Sequence, residues 1–468
     1  MARSGGSKPG IAPCHNEFMN SLPERPVPDI APFHARRERL LARMNALGGG
    51  IAVLPTAPEY PRNRDTHYPF RFDSYFHYLT GFGEPEAVVV LVAGESPRSI
   101  LFCREKNEER EIWDGYRFGP DAARERFGFE EAWTIGDLDQ RLPDLLANQP
   151  RLWCALGYEA DWDARVMRAL NAVRANARAG AVPPHAIHDV RTELDEMRLV
   201  KDESELAIMR RAAAISGDAH RRAMAAARPG RHEYEIEAEL LYSFRRAGSQ
   251  APAYPSIVAS GPNACVLHYV ENDRVMADGE LLLIDAGCEV DGYASDITRT
   301  FPVNGRFTGA QRDVYELVLA AQRAAKDTIR PGVLWNDPHD AAVRVIAQGL
   351  LDLGLLSGTL DAVIEQDLYR RFYMHRTGHW LGRDVHDAGE YKRAGEWRPL
   401  EPGMVLTVEP GCYIRAAADV PEAFWNIGVR IEDDAVVTAT GCEFITDAAP
   451  RSIADIEAVM REGAGATA

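Results

Sequence analysis

Apolar and polar positions alternate through residues 281–300, LLLIDAGCEVDGYASDITRT, a pattern typical of two β-strands joined by a short turn. The Asp-Gly pair at 291–292 lies between the two runs, and it favours a two-residue hairpin loop because both residues accept positive φ angles. In that register Asp296 lies opposite Gly287, two residues from Asp285. We therefore predict that Asp285 and Asp296 project from one face as a diagonal pair, with roughly 7–8 Å between their backbones.

This predicted pair of acids suits a bound cation. Two carboxylates on an apolar face repel each other and are costly to desolvate unless a positive charge lies between them. Leu281 and Leu283 share the parity of Asp285, which argues against a solvent-exposed face. A solvated pair of acids is the alternative, because lone aspartates are usually exposed.

The pattern elsewhere predicts an N-terminal arm and a small α/β domain. Residues 1–33 are rich in proline, glycine and serine and have little periodicity, so we expect a mobile arm. Strands and helices alternate over 34–189. The elements predicted there are helices near 34–47, 120–127 and 137–148 and the strands GIAVLP, EAVVVLVAG and RSILFCR.

Residues 190–468 are predicted to form a second domain with two similar halves. A long amphipathic helix begins at the acidic caps Asp202 and Glu203. Both halves have two helices, separated by Pro-Gly, followed by several strands. The predicted elements are helices at 203–227 and 233–246, strands within 254–301, helices at 308–330 and 337–353, and strands within 372–438. This order predicts an α+β fold with a curved antiparallel sheet, outer helices and a concave face for a ligand.

Composition narrows the functional classes. The chain has 468 residues, of which 46% are hydrophobic and 26% charged, and no apolar run approaches the length needed to cross a bilayer. The net charge of −17 argues against nucleic acid as a partner. The first residues lack the apolar segment of a secretory signal, so we expect a cytoplasmic location. The seven cysteines show no CxxC spacing, so we expect reduced thiols.

Further candidate residues lie in the second half of the chain. The stretch MHRTGHWLGRDVHDAG contains His375, His379 and His386. Gly378 and Gly382 interrupt this stretch, so we do not expect it to form one continuous helix. Each histidine taken alone is more often a structural residue than a ligand.

Two predicted strands also carry charged candidate residues. GMVLTVEPGCY ends an apolar strand at Glu409, before a Pro-Gly pair at 410–411 that predicts a type II turn. In GVRIEDDAVV, Arg430 and Glu432 share one face of a strand, and Val429 and Ile431 share the other. Glu432 begins an acidic run that is, by itself, equally consistent with a solvated surface.

The set of two aspartates, one histidine and two glutamates suits Mn²⁺, Fe²⁺, Co²⁺ or Zn²⁺ better than a thiophilic ion. Four carboxylates balance the charge of two divalent ions. Two such ions about 3.5–4 Å apart hold a bridging hydroxide and supply a nucleophile at neutral pH.

These residues resemble the pita-bread metallopeptidases, and most closely the aminopeptidase P family. The resemblance is carried by HYVEN, LLLIDAGCEVDGYASDITRTFPVNG, HRTGHWLGRDVHD, LEPGMVLTVEPGCYI and GVRIEDD, and by YFHYLTGFGEPEAVVVLV and EIWDGYRFG in the N-terminal domain. It covers roughly residues 34–460. It implies a dimetal enzyme that removes the N-terminal residue from peptides with proline in second position.

The resemblance also implies a role for each matching residue. Asp285 binds one metal ion, Asp296 and Glu432 bridge both ions, and His379 and Glu409 bind the other. Mn²⁺ is the expected metal. His268 and His386 match substrate-contacting histidines, His375 lines the site, Glu409 shuttles a proton, Arg430 orients the bridging acids, and Tyr254 and Tyr413 lie around the proline pocket. Trp113 matches a tryptophan that reaches the neighbouring subunit of a homodimer or homotetramer, although a buried core tryptophan is the alternative.

The sequence differs from the family pattern at one position of the site, and three alternative functions remain to be weighed. Arg376 stands where the family usually has glycine, which changes the edge of the pocket. Prolidase, which cleaves Xaa-Pro dipeptides, uses the same ligands and would need a cation for the dipeptide carboxylate, with Arg376, Arg393 and Arg398 as candidates. Methionine aminopeptidase is disfavoured because it usually lacks a large N-terminal domain. A non-catalytic peptide-binding relative would typically have lost metal ligands.

Overall fold

The computed structural model describes residues 29–465, so residues 1–28 of the predicted arm lie outside the described part. The α-helices are α1 (Ala31–Ala46), α2 (Ser74–Thr80), α3 (Glu108–Asp114), α4 (Gly119–Phe127), α5 (Leu138–Leu146), α6 (Ala160–Ala175), α7 (Arg191–Leu199), α8 (Glu203–Ala226), α9 (Glu233–Arg246), α10 (Gly309–Thr328), α11 (Asp337–Asp352), α12 (Leu360–Glu365) and α13 (Ile453–Gly465).

The β-strands are β1 (Gly50–Pro55), β2 (Val88–Ala93), β3 (Arg98–Cys103), β4 (Glu131–Thr134), β5 (Arg151–Trp153), β6 (Ala186–His188), β7 (Ala251–Pro252), β8 (Ile257–Ser260), β9 (Leu281–Asp285), β10 (Cys288–Val290), β11 (Tyr293–Ala294), β12 (Thr298–Pro302), β13 (Lys392–Arg393), β14 (Glu396–Trp397), β15 (Val405–Val408), β16 (Gly411–Ile414), β17 (Ile427–Arg430), β18 (Asp433–Val437) and β19 (Cys442–Phe444).

The chain separates into two compact units. The first comprises Met1–Phe72, Tyr78–Pro150 and Arg165–Pro184. Its strands lie in the order β4-β3-β2-β1, with β3 and β4 parallel and the other neighbours antiparallel. Strand β2 is buried along its whole length, and α1 packs against it. Helix α1 begins three residues before the predicted start, because Pro32 is tolerated in the first turn of a helix.

The second unit comprises Asp73–His77, Arg151–Ala164 and His185–Ala468. The predicted order of two helices followed by strands is present in both of its halves, as α8 and α9 before β7–β12 and as α10 and α11 before β13–β18. The strand pairs formed within β7–β19 are antiparallel. The two Pro-Gly pairs end matching helices, with φ of 89° at Gly230 and 84° at Gly332. Both helix pairs pack with the strands in one hydrophobic core.

Asp202 caps helix α8 as predicted. Its carboxylate accepts a hydrogen bond from the backbone N–H of Glu205 at 3.0 Å, and the Glu205 side chain accepts one from the backbone N–H of Asp202 at 3.0 Å. This reciprocal capping satisfies two of the unpaired donors at the start of the helix.

The hairpin predicted at 291–292 is confirmed. Val290 pairs with Tyr293, and φ is 49° at Asp291 and 77° at Gly292. The same register continues to β9 and β12, where Thr298 pairs with Asp285. A Cβ atom at Gly287 would lie 1.7 Å from the carbonyl oxygen of Ser295, so only glycine fits where the two chains approach.

Other local predictions differ from the structure. The predicted type II turn at 410–411 is wrong, because Gly411 does not adopt a positive φ and instead begins β16, where it pairs with Arg430. The helices α2, α3, α6, α7, α12 and α13 were not predicted. Residues 374–391 contain no helix, as expected from the glycines. No helix in the described range 29–465 is both long enough and apolar enough to cross a membrane.

Candidate metal centre and active-site cavity

Five side chains predicted to bind metal meet in the second unit. Most of them lie where a strand ends, so the backbone ladders fix their positions. They are Asp285 at the end of β9, Asp296 just before β12, His379 in the irregular segment after α12, Glu409 directly after β15, and Glu432 between β17 and β18.

The centre of this cluster is compact. Asp296, His379 and Glu432 each offer one ligand atom, and these atoms lie within 4.8 Å of one another. The Nε2 atom of His379 is 3.6 Å from Oδ2 of Asp296 and 3.6 Å from Oε1 of Glu409. These separations leave room for an ion between the donors.

Asp285 is held between a tyrosine and an arginine. The Tyr254 hydroxyl lies 2.6 Å from its Oδ1 atom, and Arg430 donates to its Oδ2 atom at 2.6 Å. Arg430 also donates to the Thr298 hydroxyl at 3.1 Å, and that hydroxyl donates to Glu432 at 2.7 Å. Arg430 and Glu432 thus share one face, as predicted. Arg430 orients Asp285 directly and Glu432 only through Thr298, whereas the prediction linked it to both bridging acids.

Thr407 connects the histidine with the glutamate that follows β15. The backbone N–H of His379 donates to the Thr407 hydroxyl at 3.0 Å, and this hydroxyl lies 3.3 Å from Oε1 of Glu409. A Cβ atom at Gly378 would lie 2.1 Å from the carbonyl oxygen of Thr407, so glycine is required for this approach. Sequence analysis missed Thr298 and Thr407, although each lies two residues from a ligand and therefore shares its side of the strand.

Burial and mutual repulsion shift the pKa values of these groups. Burial, followed by the charge of Asp285, raises the pKa of Asp296. Burial raises the pKa of Glu409 to about 7, and burial together with Asp296 and Glu409 raises the pKa of Glu432 well above its usual value. Burial opposes the charged form of His379, but Asp296 and Glu409 raise its pKa to about 9.

The donor set fits divalent metal ions. Burial is the largest cause of the raised carboxylate pKa values, and the charges of neighbouring carboxylates add to it. The four carboxylates outnumber the two cationic side chains beside them, His379 and Arg430. Carboxylate oxygens with one imidazole suit borderline or hard divalent ions. The residues present therefore fit a carboxylate-rich metal centre.

The centre lies in a cavity of about 950 Å³. Its volume is at the upper end of the range typical of small-molecule sites, roughly 300–1,000 Å³. Much of the wall is apolar or aromatic and includes Ile257, Leu267, Val270, Trp335, Tyr391 and Trp397. The carboxylates therefore face a space large enough for a short peptide.

The three remaining histidines also line this cavity. The ring of His386 lies 4.2 Å from the ring of His379, and His268 is exposed in the wall. The Nε2 atom of His375 lies 2.8 Å from the Tyr413 hydroxyl. Burial, with Arg430 nearby, lowers the pKa of His375 to about 3, so its imidazole is neutral at pH 7.

The two predicted tyrosines occupy different positions. Tyr254 lines the cavity, and its hydroxyl lies 2.5 Å from Asp296. Tyr413 is 2% exposed and lies behind the wall, where its hydroxyl accepts a hydrogen bond from Arg430 at 3.0 Å. A direct substrate contact by Tyr413, as predicted, therefore does not match this position, because its hydroxyl is engaged by Arg430 and His375.

Trp113 belongs to the first unit, whereas the cavity is lined by residues of the second. It lies on α3, and its side chain is 80% exposed. The alternative of a buried core tryptophan is therefore wrong.

The three arginines considered for a dipeptide carboxylate have different surroundings. Arg398 donates to both oxygens of Glu196, at 2.9 Å and 3.2 Å, and Arg393 pairs with the same carboxylate. Arg376 lines the cavity and donates to the side-chain oxygen of Asn336. Arg393 and Arg398 therefore already have an anionic partner.

Comparison with known proteins places these features in a family. A model described as metallopeptidase family M24 matches residues 207–439, and one described as aminopeptidase P, N-terminal domain, matches residues 33–153. The Xaa-Pro aminopeptidase of Escherichia coli K12 is 45% identical over 430 residues, which are 92% of this chain and 97% of that protein. Xaa-Pro aminopeptidase 3 of Mus musculus is 35% identical over 441 residues, covering 91% and 85% respectively.

Solved structures agree with this relationship. The aminopeptidase of Pseudomonas aeruginosa has a TM-score of 0.92 and 52% identity, covering 93% of this chain and 99% of that one. A zinc-substituted Escherichia coli aminopeptidase P in complex with product has a TM-score of 0.90 and 44% identity, with coverage of 93% and 99%.

The chain belongs to metallopeptidase family M24. Within that family it falls among the Xaa-Pro aminopeptidases, and it is a hydrolase of the metal-dependent exopeptidase class. The predicted fold, an N-terminal α/β domain followed by a pita-bread domain, is confirmed.

Proposed function

We propose that this chain removes the N-terminal residue from peptides that carry proline in second position. The observation that carries the proposal is the cluster of Asp296, His379 and Glu432 on a cavity of about 950 Å³. We propose a catalytic domain over 190–468 and an N-terminal domain over 34–189.

Two divalent ions, with Mn²⁺ as the proposed metal, have a complete set of ligands in this centre. Asp285 would hold one ion, His379 and Glu409 the other, and Asp296 and Glu432 both. When bound, such ions supply a nucleophile by lowering the pKa of water, and they polarise a carbonyl group. The hydrogen bonds from Arg430 and Thr298 support this proposal, because they fix the carboxylates from behind.

The histidines and Glu409 act on the substrate in this proposal. His268 and His386 lie on the cavity wall, where each can donate a hydrogen bond to the oxygen of the reacting carbonyl as negative charge develops on it. Glu409 lines the cavity, where a carboxylate oxygen can accept a proton from the nucleophile and return it to the leaving amine. Tyr413 acts indirectly by holding Arg430 and His375.

A preference for peptides longer than dipeptides follows from the arginine partners. An enzyme specialised for Xaa-Pro dipeptides needs a cation for the carboxylate directly after proline. Glu196 engages two of the three candidate arginines, Arg393 and Arg398, and leaves Arg376 as the remaining candidate, which supports an aminopeptidase over a prolidase. A non-catalytic role is disfavoured, because the complete ligand set is retained.

We also propose a cytoplasmic homo-oligomer. The six cysteines within residues 29–465 are free thiols, which fits a reducing compartment. The exposed Trp113 and its neighbour Ile112, each 80% exposed, are suited to contact another subunit. Light scattering tests the assembly, and a fully active monomer would contradict it.

The activity is tested with Ala-Pro-Ala as substrate and Ala-Ala-Ala as a matched control. Protein stripped by a chelator should be inactive, and Mn²⁺ should restore hydrolysis of Ala-Pro-Ala only. Full activity of the stripped protein, or equal cleavage of both peptides, would contradict the proposal.

A further inference from the structure

Two cations lie over one aromatic ring in the cavity wall. The guanidinium carbon of Arg376 is 5.3 Å from the centroid of the Trp397 ring, and Nζ of Lys392 is 4.2 Å from it. All three side chains line the cavity. We call Arg376, Lys392 and Trp397 the cationic rim.

The backbone fixes this arrangement. Lys392 pairs directly with Trp397 in the β13–β14 hairpin, so the two side chains lie on the same face. The hairpin turn has positive φ angles at Ala394 and Gly395, 49° and 88°, which is typical of a tight two-residue loop.

The positive charge of the rim is not neutralised within the described part of the chain. Arg376 donates to Asn336, which is uncharged, and Lys392 forms no ion pair among residues 29–465. Arg393, next to Lys392, differs because it pairs with Glu196.

The rim lies at the open side of the cavity. Arg376 and Lys392 are exposed, whereas Asp296 and Glu432 are 4% and 2% exposed. An aminopeptidase has one substrate residue before the scissile bond and the rest of the peptide after it. With the scissile bond at the carboxylates, the exposed rim is accessible to the part of the peptide that extends out of the cavity.

We propose that the cationic rim binds a carboxylate of the substrate located after the proline. The proposal deepens the proposed aminopeptidase function and rests on it. An acidic side chain and the C-terminus of a tripeptide share this chemistry, and Arg376 can bind either one through two parallel hydrogen bonds. The rim thereby gives a preference for acidic or short peptides.

The test compares matched substrates that differ in one charge. kcat/KM is measured for Ala-Pro-Asp-amide against Ala-Pro-Asn-amide, and for Ala-Pro-Ala against Ala-Pro-Ala-amide. The first pair reports a side-chain carboxylate and the second a C-terminal carboxylate. The wild type should prefer at least one of the acids about threefold to tenfold, as expected of a partly exposed charge pair. High salt should reduce this preference, because it screens exposed charges.

Variants then locate the preference. The double substitution Arg376→Gln and Lys392→Gln should abolish it, so that the acidic and neutral members of each pair are cleaved with equal kcat/KM. Arg323→Gln is the matched control, since Arg323 is an exposed cation on α10 outside the cavity lining. Equal rates for both members of each pair in the wild type, or a preference that survives the double substitution, would overturn the rim proposal.

Failure of the rim and failure of the proposed function are distinguishable. If the neutral peptides are cleaved without any preference for acids, only the rim proposal fails. If no Xaa-Pro peptide is cleaved, the proposed function fails. Calorimetry then tests the rim proposal independently of catalysis by measuring the affinities of Pro-Asp-amide and Pro-Asn-amide for the wild type and the double variant. Equal affinities of the two peptides for the wild type would overturn the rim proposal.

Discussion

Two clusters of charged side chains in the second unit both have little exposure, but their acidic groups have opposite pKa shifts. In the first, Asp387 lies between Arg198 at 2.6 Å and Lys201 at 2.9 Å, and each of the three side chains is 1% exposed. Burial alone would raise the pKa of Asp387, but Lys201 and Arg198 lower it to about 2. This acid is fully compensated by residues of the chain itself.

In the second cluster, Asp296 and Glu432 are also buried and Glu409 is partly buried, yet the pKa values of all three are raised. His379 and Arg430 are too few to balance them. The comparison shows that low exposure alone does not determine the direction in which a carboxyl pKa shifts. The charges of the neighbouring side chains determine it. The Asp387 cluster holds its own counter-charges, whereas the second cluster has more acidic than basic side chains and is therefore suited to bind cations.

The largest predicted effect comes from removing a shared ligand. Asp296→Ala should abolish metal binding and lower kcat by more than about a thousandfold, a larger loss than the roughly 100-fold to 1,000-fold cost of one oxyanion donor. Metal analysis and kinetics on Ala-Pro-Ala measure both.

His386→Ala is the matched control for that variant. It removes a cavity histidine that is not among the proposed ligands, so metal content should be retained while kcat falls by roughly 100-fold. Equal metal loss in the two variants would contradict the assignment of Asp296 as a ligand.

Breaking the compensated cluster should affect stability instead of metal content. Asp387→Asn leaves Lys201 buried without a carboxylate and leaves Arg198 with Asp384 as its remaining acidic partner, so it should lower the free energy of unfolding by roughly 3–5 kcal/mol. Asp419→Asn, which removes an exposed partner of Arg371, is the control and should change little. Denaturant unfolding measures both, and equal small effects would show that the Asp387 cluster is not compensated as described.

The two clusters also predict opposite pH dependences of stability in metal-stripped protein. Glu409 has a pKa of about 7 when folded and about 4.3 when unfolded, so stability falls as pH rises from about 4 to 7. Asp387 has a pKa of about 2 when folded and about 3.9 when unfolded, so its contribution is lost as pH falls from about 4 to 2.

Thermal unfolding across this pH range, with and without Mn²⁺, measures these trends. Bound ions should remove the decline between about pH 4 and 7, because they compensate the carboxylates. If the stability still declined between about pH 4 and 7 in saturating Mn²⁺, the carboxylates would not be the groups that bind the metal.

The smallest predicted effect concerns peptide length. kcat/KM for Ala-Pro-Ala should exceed that for Ala-Pro by about tenfold, because Glu196 already occupies Arg393 and Arg398. The assay is run at one fixed metal concentration. A clear preference for Ala-Pro would identify a prolidase.

The features of this fold that could be predicted from the sequence depend on residues close together along the chain. Alternation around residues 291–292 predicted the register that places Asp285 and Asp296 together, because a two-residue turn determines every later pair in the hairpin. The helix start at Asp202 was predictable for the same reason, since its capping partner is three residues away.

The missing parts depend on contacts between distant segments. Asp387 meets Arg198 and Lys201 across more than 180 residues, and no periodicity marks such a pairing. Thr298 and Thr407 are similarly inconspicuous hydroxyls until the strands come together. The Pro-Gly pair at 410–411 predicted a turn that is absent, because Gly411 pairs with Arg430 in the β16–β17 ladder, and this pairing overrides the local turn preference.

The most direct test of the metal centre is the position of bound Mn²⁺ in crystals, measured by anomalous diffraction. The account predicts two peaks about 3.5–4 Å apart, enclosed by Asp285, Asp296, His379, Glu409 and Glu432. Crystals of active, Mn²⁺-saturated enzyme with no peak among these side chains would contradict it.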